Sequence, residues 1–190
     1  MINESYRTEY LDHVIQFQNN NIDLVPYFVT KVFWLPSGKL NDASVDSVCK
    51  LNRVFYTHIL SYLVPNYSRA SKRHLQPKSF DFIDVEGSAG TTRTLRVKDS
   101  SWPHIHSILF LHENQVEPFE VLMEDGFNSI LTFQDQSGNE PFRNLKSIHA
   151  TPITHDLDRV VGYAAKLLDH PEAKHLMRDF PLYDQLPSLH

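Results

Sequence analysis

The stretch Trp102-Pro103-His104-Ile105-His106-Ser107-Ile108-Leu109-Phe110 constrains this chain most, because it sets two imidazoles on one face of an apolar strand. Side chains alternate faces along a strand, so His104 and His106 point the same way while Ile105 points into the core. Two neutral imidazoles about 7 Å apart on a rigid strand are a ready pair of metal ligands. The same pair also suits a solvated face, or core histidines bonded to backbone. The strand alone leaves these readings open.

A second pattern runs from Leu157 to Leu168. Thr154 or Asp156 can cap a helix here, and apolar residues at 157, 160, 161, 164, 167 and 168 recur at helical spacing. Tyr163 and Lys166 are three apart and are therefore neighbours on one side of that helix. An amphipathic helix with an interface tyrosine would look the same.

The strand Pro103-His104-Ile105-His106-Ser107-Ile108-Leu109-Phe110, followed by a helix carrying Tyr163-x-x-Lys166, resembles the HUH single-strand endonucleases. The closest likeness is to the single-tyrosine replication initiators of plasmids and phages and the related tyrosine transposases. The tyrosine follows the histidine motif, as in replication initiators and unlike conjugative relaxases. Tyr27-Phe28-Val29-Thr30-Lys31-Val32-Phe33 is similar to the family's first strand. Phe82-Ile83-Asp84-Val85-Glu86-Gly87 is similar to the strand whose acid completes the metal site. The resemblance covers about Pro26 to Leu168.

It implies a central antiparallel sheet with His104 and His106 on its middle strand and the Tyr163 helix across it. It further implies Mn²⁺ or Mg²⁺ held by His104, His106 and Glu86, with Asp84, of the same strand parity, as the rival third ligand. A phenol with a pKa near ~10 is mostly protonated at neutral pH, so Tyr163 needs assistance as a nucleophile. A Lewis-acidic ion and the charge of Lys166 would supply it, giving a 5′-phosphotyrosine intermediate and a free 3′ hydroxyl. The implied activity is nicking and rejoining of single-stranded or hairpin DNA at the start of rolling-circle replication. No Gly-x-x-x-x-Gly-Lys-Ser/Thr loop is present, so unwinding would fall to a separate helicase.

Composition admits this function without requiring it. At 190 residues, with 41% hydrophobic positions, the chain is long enough for one domain with a proper core. The lone Cys49 excludes an internal disulfide and a Cys-based zinc site, and it fits a reducing compartment. No apolar run approaches a membrane span, and the start Met1-Ile2-Asn3-Glu4 does not read as a signal peptide; a cytoplasmic protein with no membrane partner is expected.

A net charge of -5 argues against broad phosphate binding, but the charge is uneven. Residues 66–98 carry seven basic and three acidic side chains, whereas residues 113–140 carry seven acids and no Lys or Arg. Arg69, Lys72 and Arg73 are the candidate DNA contacts, suited to a short single strand; a solvated surface explains them equally well.

Periodicity predicts helices over 4–18, 42–63, about 117–125 and 157–168, and strands over 25–33, 79–86, 92–97, 104–111, 129–133 and 143–149. In the second helix Val45, Val48, Leu51 or Asn52, Phe55, Ile59 and Tyr62 take the apolar spacing, and Pro65 is the stop. Trp34 reads as core. The expected architecture is α+β: a single domain with a central antiparallel sheet of about five strands, helices mainly on one face and ligands on the other. That domain spans residues 1–170, and 171–190 form a polar tail. His112 lies too far along the strand to be a third ligand, and His149 and His155 read as surface. Two other functions fit a His-x-His strand: a cupin-like small metalloenzyme, or a module that binds hairpin DNA without cutting it.

Overall fold

The structure, a computed structural model, describes residues 3–34, 42–85, 103–131, 142 and 144–166. In chain order these form α1 (Asn3–Asn20), β1 (Leu24–Phe33), α2 (Asp42–Leu63), a 3-10 turn at Ala70–Leu75, β2 (Lys78–Val85), β3 (Pro103–His112), α3 (Glu113–Leu131), β4 (Leu145–Pro152) and α4 (Leu157–Ala164). The four strands make one antiparallel sheet in the order β2-β3-β1-β4. This is an α+β domain, with four strands rather than about five among the described residues. Residues 129–131, expected in a strand, are the last turn of α3, and the predicted strand at 92–97 lies outside the described residues.

Helices cover both faces of the sheet, not mainly one. On one face, Val48, Phe55 and Ile59 of α2 and Phe119 and Leu122 of α3 pack on Tyr27, Val29, Phe33, Ile105 and Leu109. On the other, Val14 of α1 and Val161 and Ala164 of α4 pack with Phe80, Phe82, Ile108 and Phe110. A strand covered on both sides reads as a nearly continuous apolar run, and β3 is buried from Ile105 to Leu111. β1 instead alternates, with Tyr27, Val29, Lys31 and Phe33 buried and Phe28, Thr30 and Val32 only partly so. α1 and α4 cover the Phe80–Phe110 half of their face, leaving the half with Thr30, Val32 and His104 accessible.

Trp34 is not core: it is 53% exposed just beyond β1, where its N–H donates to the Asn144 carbonyl at 2.6 Å. α2 ends as Pro65 dictates, and Asn66 follows in a left-handed conformation that Asn tolerates. None of the described helices is long and apolar enough to cross a membrane.

The α2-covered face holds a buried polar cluster. Lys31 Nζ donates to Asn52 Oδ1 at 2.5 Å and to Ser107 Oγ at 2.6 Å, and it lies 3.7 Å from Asp81 Oδ1. Asp81 also accepts from Asn52 Nδ2 at 3.1 Å, Ser79 Oγ at 2.8 Å and the Ser107 hydroxyl. Burial lowers the Lys31 pKa, and the charge and hydrogen bond of Asp81 oppose that shift. Removing one partner of such a pair strands the other charge. Lys31→Met should therefore cost about 3 kcal/mol in chemical denaturation, and Lys31→Met/Asp81→Asn should recover much of that loss because no buried charge remains.

Candidate metal centre

Antiparallel register brings together residues distant in sequence. On β3, His104 stands opposite Asp84 of β2 and Val32 of β1, and His106 stands opposite Phe82 and Thr30. All lie on the sheet face that α1 and α4 cover only in part. His104 Nε2 and His106 Nε2 lie 3.2 and 3.3 Å from Asp84 Oδ2, a carboxylate with no solvent exposure. One ligand atom from each of the three residues falls within 4.8 Å of the others.

The donor chemistry fits a metal ion. With Nδ1 protonated, His106 donates to Thr30 Oγ1 at 3.1 Å, which leaves the Nε2 lone pair facing the carboxylate. Acceptors converging on one buried point need a proton or a cation between them. Burial pushes the His106 imidazole below its ordinary pKa, with help from the charges of His104 and Lys166 and against the pull of Asp84. That favours the neutral, ligating form. A group of two imidazoles and one carboxylate able to hold a metal ion is thus built on adjacent strands.

Lys166, two residues past the end of α4, closes the group. Its Nζ lies 2.7 Å from Asp84 Oδ2 and 4.2 Å from the centroid of the Tyr163 ring. Burial alone would lower the Lys166 pKa, but the hydrogen bond and charge of Asp84, joined by those of Tyr163, outweigh it and hold the ammonium above its ordinary value. The Tyr163 ring is 5.3 Å from that of His106 and 6.1 Å from that of Phe28, centroid to centroid, and the residue is 49% exposed. Phe28 in turn stacks on His106 at 5.1 Å.

His104, His106 and Tyr163 line a cleft of about 370 Å³ together with Phe28, Thr30 and Val32 of β1 and Lys146 and Ser147 of β4 on its far wall. A bulge explains that wall. Val32 pairs with Ser147 and Phe33 with Leu145, leaving Lys146 as the extra residue, and both Lys146 and Ser147 border the cleft.

Of the residues marked by the sequence, His104, His106, Tyr163 and Lys166 come together. Glu86 lies outside the described residues, and the carboxylate that the sheet delivers is its rival Asp84. Arg69, Lys72 and Arg73 stand elsewhere. They belong to the 3-10 turn and the residue before it, whose His74 carbonyl accepts from His112 Nε2 at 2.9 Å. His112 is six residues beyond His106 on β3, roughly 20 Å along the strand, so the basic turn sits at the opposite end of the sheet from the cleft. His149 and His155 are exposed. Thr30 and Lys146 were not singled out by any motif; only the strand pairing reveals them.

Comparison with protein-family models, curated proteins and solved structures gives no match. The resemblance to HUH endonucleases therefore rests on the sequence motifs alone.

Second-sphere partners of a ligating histidine typically tune metal affinity by 10- to 100-fold. Thr30→Val, which removes the acceptor from His106 Nδ1 without changing volume much, should weaken Mn²⁺ binding by about tenfold in calorimetry. Asp84→Asn should weaken it further.

Proposed function

We propose that the protein is a metal-dependent endonuclease and strand transferase that nicks and rejoins single-stranded DNA through Tyr163, serving the initiation of rolling-circle replication. The observation that carries this reading is the convergence of Tyr163, His104 and His106 on one cleft, with Lys166 bridging from the tyrosine to Asp84. A metal site alone would suit many hydrolases. An accessible phenol against a ligating imidazole suits a covalent phosphoryl transfer.

Bound by Asp84, His104 and His106, Mn²⁺ or Mg²⁺ supplies Lewis-acid polarisation of a phosphoryl oxygen, and the imidazole donors favour Mn²⁺. The residues do the rest. Tyr163 Oη attacks phosphorus in line, an O–P bond forms, the bond to the 3′ oxygen breaks, and that oxygen leaves to become a free hydroxyl. The phenolic proton passes to solvent, because the half-exposed ring borders an open cleft. Lys166 offsets negative charge on the phosphate and the phenolate oxygen. Reversal by a 3′ hydroxyl restores the strand.

Lys146 on the far wall pairs with a neighbouring phosphate, and Trp34, exposed at the same end of the sheet, offers a stacking surface to a base. The basic turn at the far end of the sheet contacts a more distant part of the DNA. A cupin-like enzyme would be a closed double-sheet barrel, and the described strands form a single open sheet.

Incubation with Mn²⁺ and a library of single-stranded oligonucleotides should produce an adduct that survives denaturing electrophoresis and maps by mass spectrometry to Tyr163. Tyr163→Phe should abolish the adduct while leaving Mn²⁺ and DNA binding within about twofold, since only one oxygen is lost. Lys166→Ala should slow its formation. An adduct that persists in Tyr163→Phe would move the nucleophile elsewhere, and no adduct across the library would favour a non-cleaving hairpin binder.

Base stacking on an aromatic is worth about 1–3 kcal/mol, so Trp34→Ala should weaken single-strand binding about tenfold. In a Trp102→Phe background, where Trp34 is the remaining tryptophan, its fluorescence should be quenched on titration with oligonucleotide.

A further inference from the structure

Three groups address a single oxygen atom. His104 Nε2, His106 Nε2 and the Lys166 ammonium lie 3.2, 3.3 and 2.7 Å from Asp84 Oδ2. Lysine is the nearest of the three. It approaches from the segment just past α4, outside the strands that carry the ligands, and its side chain is 18% exposed against none for Asp84.

We propose that Lys166 is a built-in competitor for the metal site: its ammonium and a divalent cation take Asp84 in alternation, and loading of the site leaves the ammonium, otherwise shared with Asp84, to Tyr163 alone. This inference rests on the metal site argued above and concerns how that site is filled.

The argument has three steps. A carboxylate with no exposure must be paired with something, and Lys166 provides that cation when no metal is bound. A dication and an ammonium on one buried oxygen repel strongly, because little water lies between them to screen the interaction. The lysine must then leave, and its flexible four-carbon stem gives it somewhere to go. Its Nζ already lies 4.2 Å from the Tyr163 ring centroid, and Tyr163 is one helical turn back on the same side. A short swing takes the charge off the carboxylate and leaves it with the phenol. Metal occupancy thereby turns an ammonium shared between Asp84 and Tyr163 into one held by Tyr163 alone.

The alternative is that Lys166 stays on Asp84 beside the metal as an orienting partner. The two ideas make opposite predictions. Calorimetry of the full chain with Mn²⁺ should show Lys166→Met binding at least about tenfold tighter than wild type, because the competitor is gone. Lys166→Arg, which keeps a cation, should remain near wild type. Without metal, Lys166→Met should melt at lower temperature than wild type and gain more from saturating Mn²⁺. Equal or weaker Mn²⁺ affinity in Lys166→Met would overturn the proposal.

Nitrogen-15 NMR of lysine ammonium groups reads the swing directly. The signal missing from Lys166→Met identifies Lys166, and saturation with diamagnetic Mg²⁺ should shift it. An unmoved signal at saturation would also overturn the proposal. Failure of the metal site itself looks different: neither wild type nor Lys166→Met would bind Mn²⁺, or binding would survive in His106→Ala, and the competition falls with it.

Discussion

The interaction on which the site depends is the burial of one carboxylate. Asp84 is fully removed from water, and an ionised carboxylate in that position costs several kcal/mol unless charges and hydrogen bonds replace its hydration. Its replacements come from His104 and His106 on β3 and from Lys166, two residues past the end of α4. The carboxylate therefore ties β2 to β3 and draws the end of α4 onto the sheet. Tyr163, three residues before Lys166, is carried with it to the His106 ring. Placement of Tyr163 is a by-product of pairing a buried charge.

Register is what makes this possible, and the other face of the sheet fixes it. Asp81, Lys31 and Ser107 lie on β2, β1 and β3, the three strands that carry Asp84, Thr30 and His106. Each set needs its own face. A slip of one residue would turn Lys31 toward the cleft and His106 into the apolar layer beneath α2 and α3. Two polar clusters back to back on the same strands specify the pairing more tightly than apolar packing alone, because Val, Ile and Phe tolerate exchange where a buried lysine does not.

How much of this was legible in the sequence follows from the range of the interactions concerned. The extent of α2 came directly from periodicity and from Pro65, a local signal. Its inner face did not: Leu51 and Asn52 were equal candidates, and Asn52 takes the buried position because its amide joins Lys31 to Asp81. His104 and His106 were legible because alternation along one strand is also local. The third ligand was ambiguous, since Asp84 and Glu86 share parity; Asp84 pairs with His104, and Glu86 lies outside the described residues. Nor could the sequence locate the basic turn relative to the cleft: it enters β2 at Lys78, opposite Phe110, far from His104. Trp34 was read as core by composition, whereas β1 ends one residue earlier and leaves the indole half exposed.

A helix as short as α4 does not hold itself together, because nucleation of an isolated helix of this length is unfavourable in water. It also begins badly, with Asp156 in a left-handed conformation and making no side-chain cap. What holds it is packing: Val161 and Ala164 are buried against the sheet, and the Arg7 guanidinium of α1 donates to the Gly162 carbonyl at 2.8 Å. Carbonyls in the last turn of a helix lack partners within it, so an arginine there satisfies an orphan acceptor and matches the negative end of the helix dipole. The N-terminal helix thus does more than cover apolar surface. It anchors α4 at Gly162, next to Tyr163, while the pair with Asp84 holds Lys166 three residues on. Tyr163 is thus fixed between a backbone tie to α1 and a side-chain tie to β2, so its position does not rest on the short helix alone.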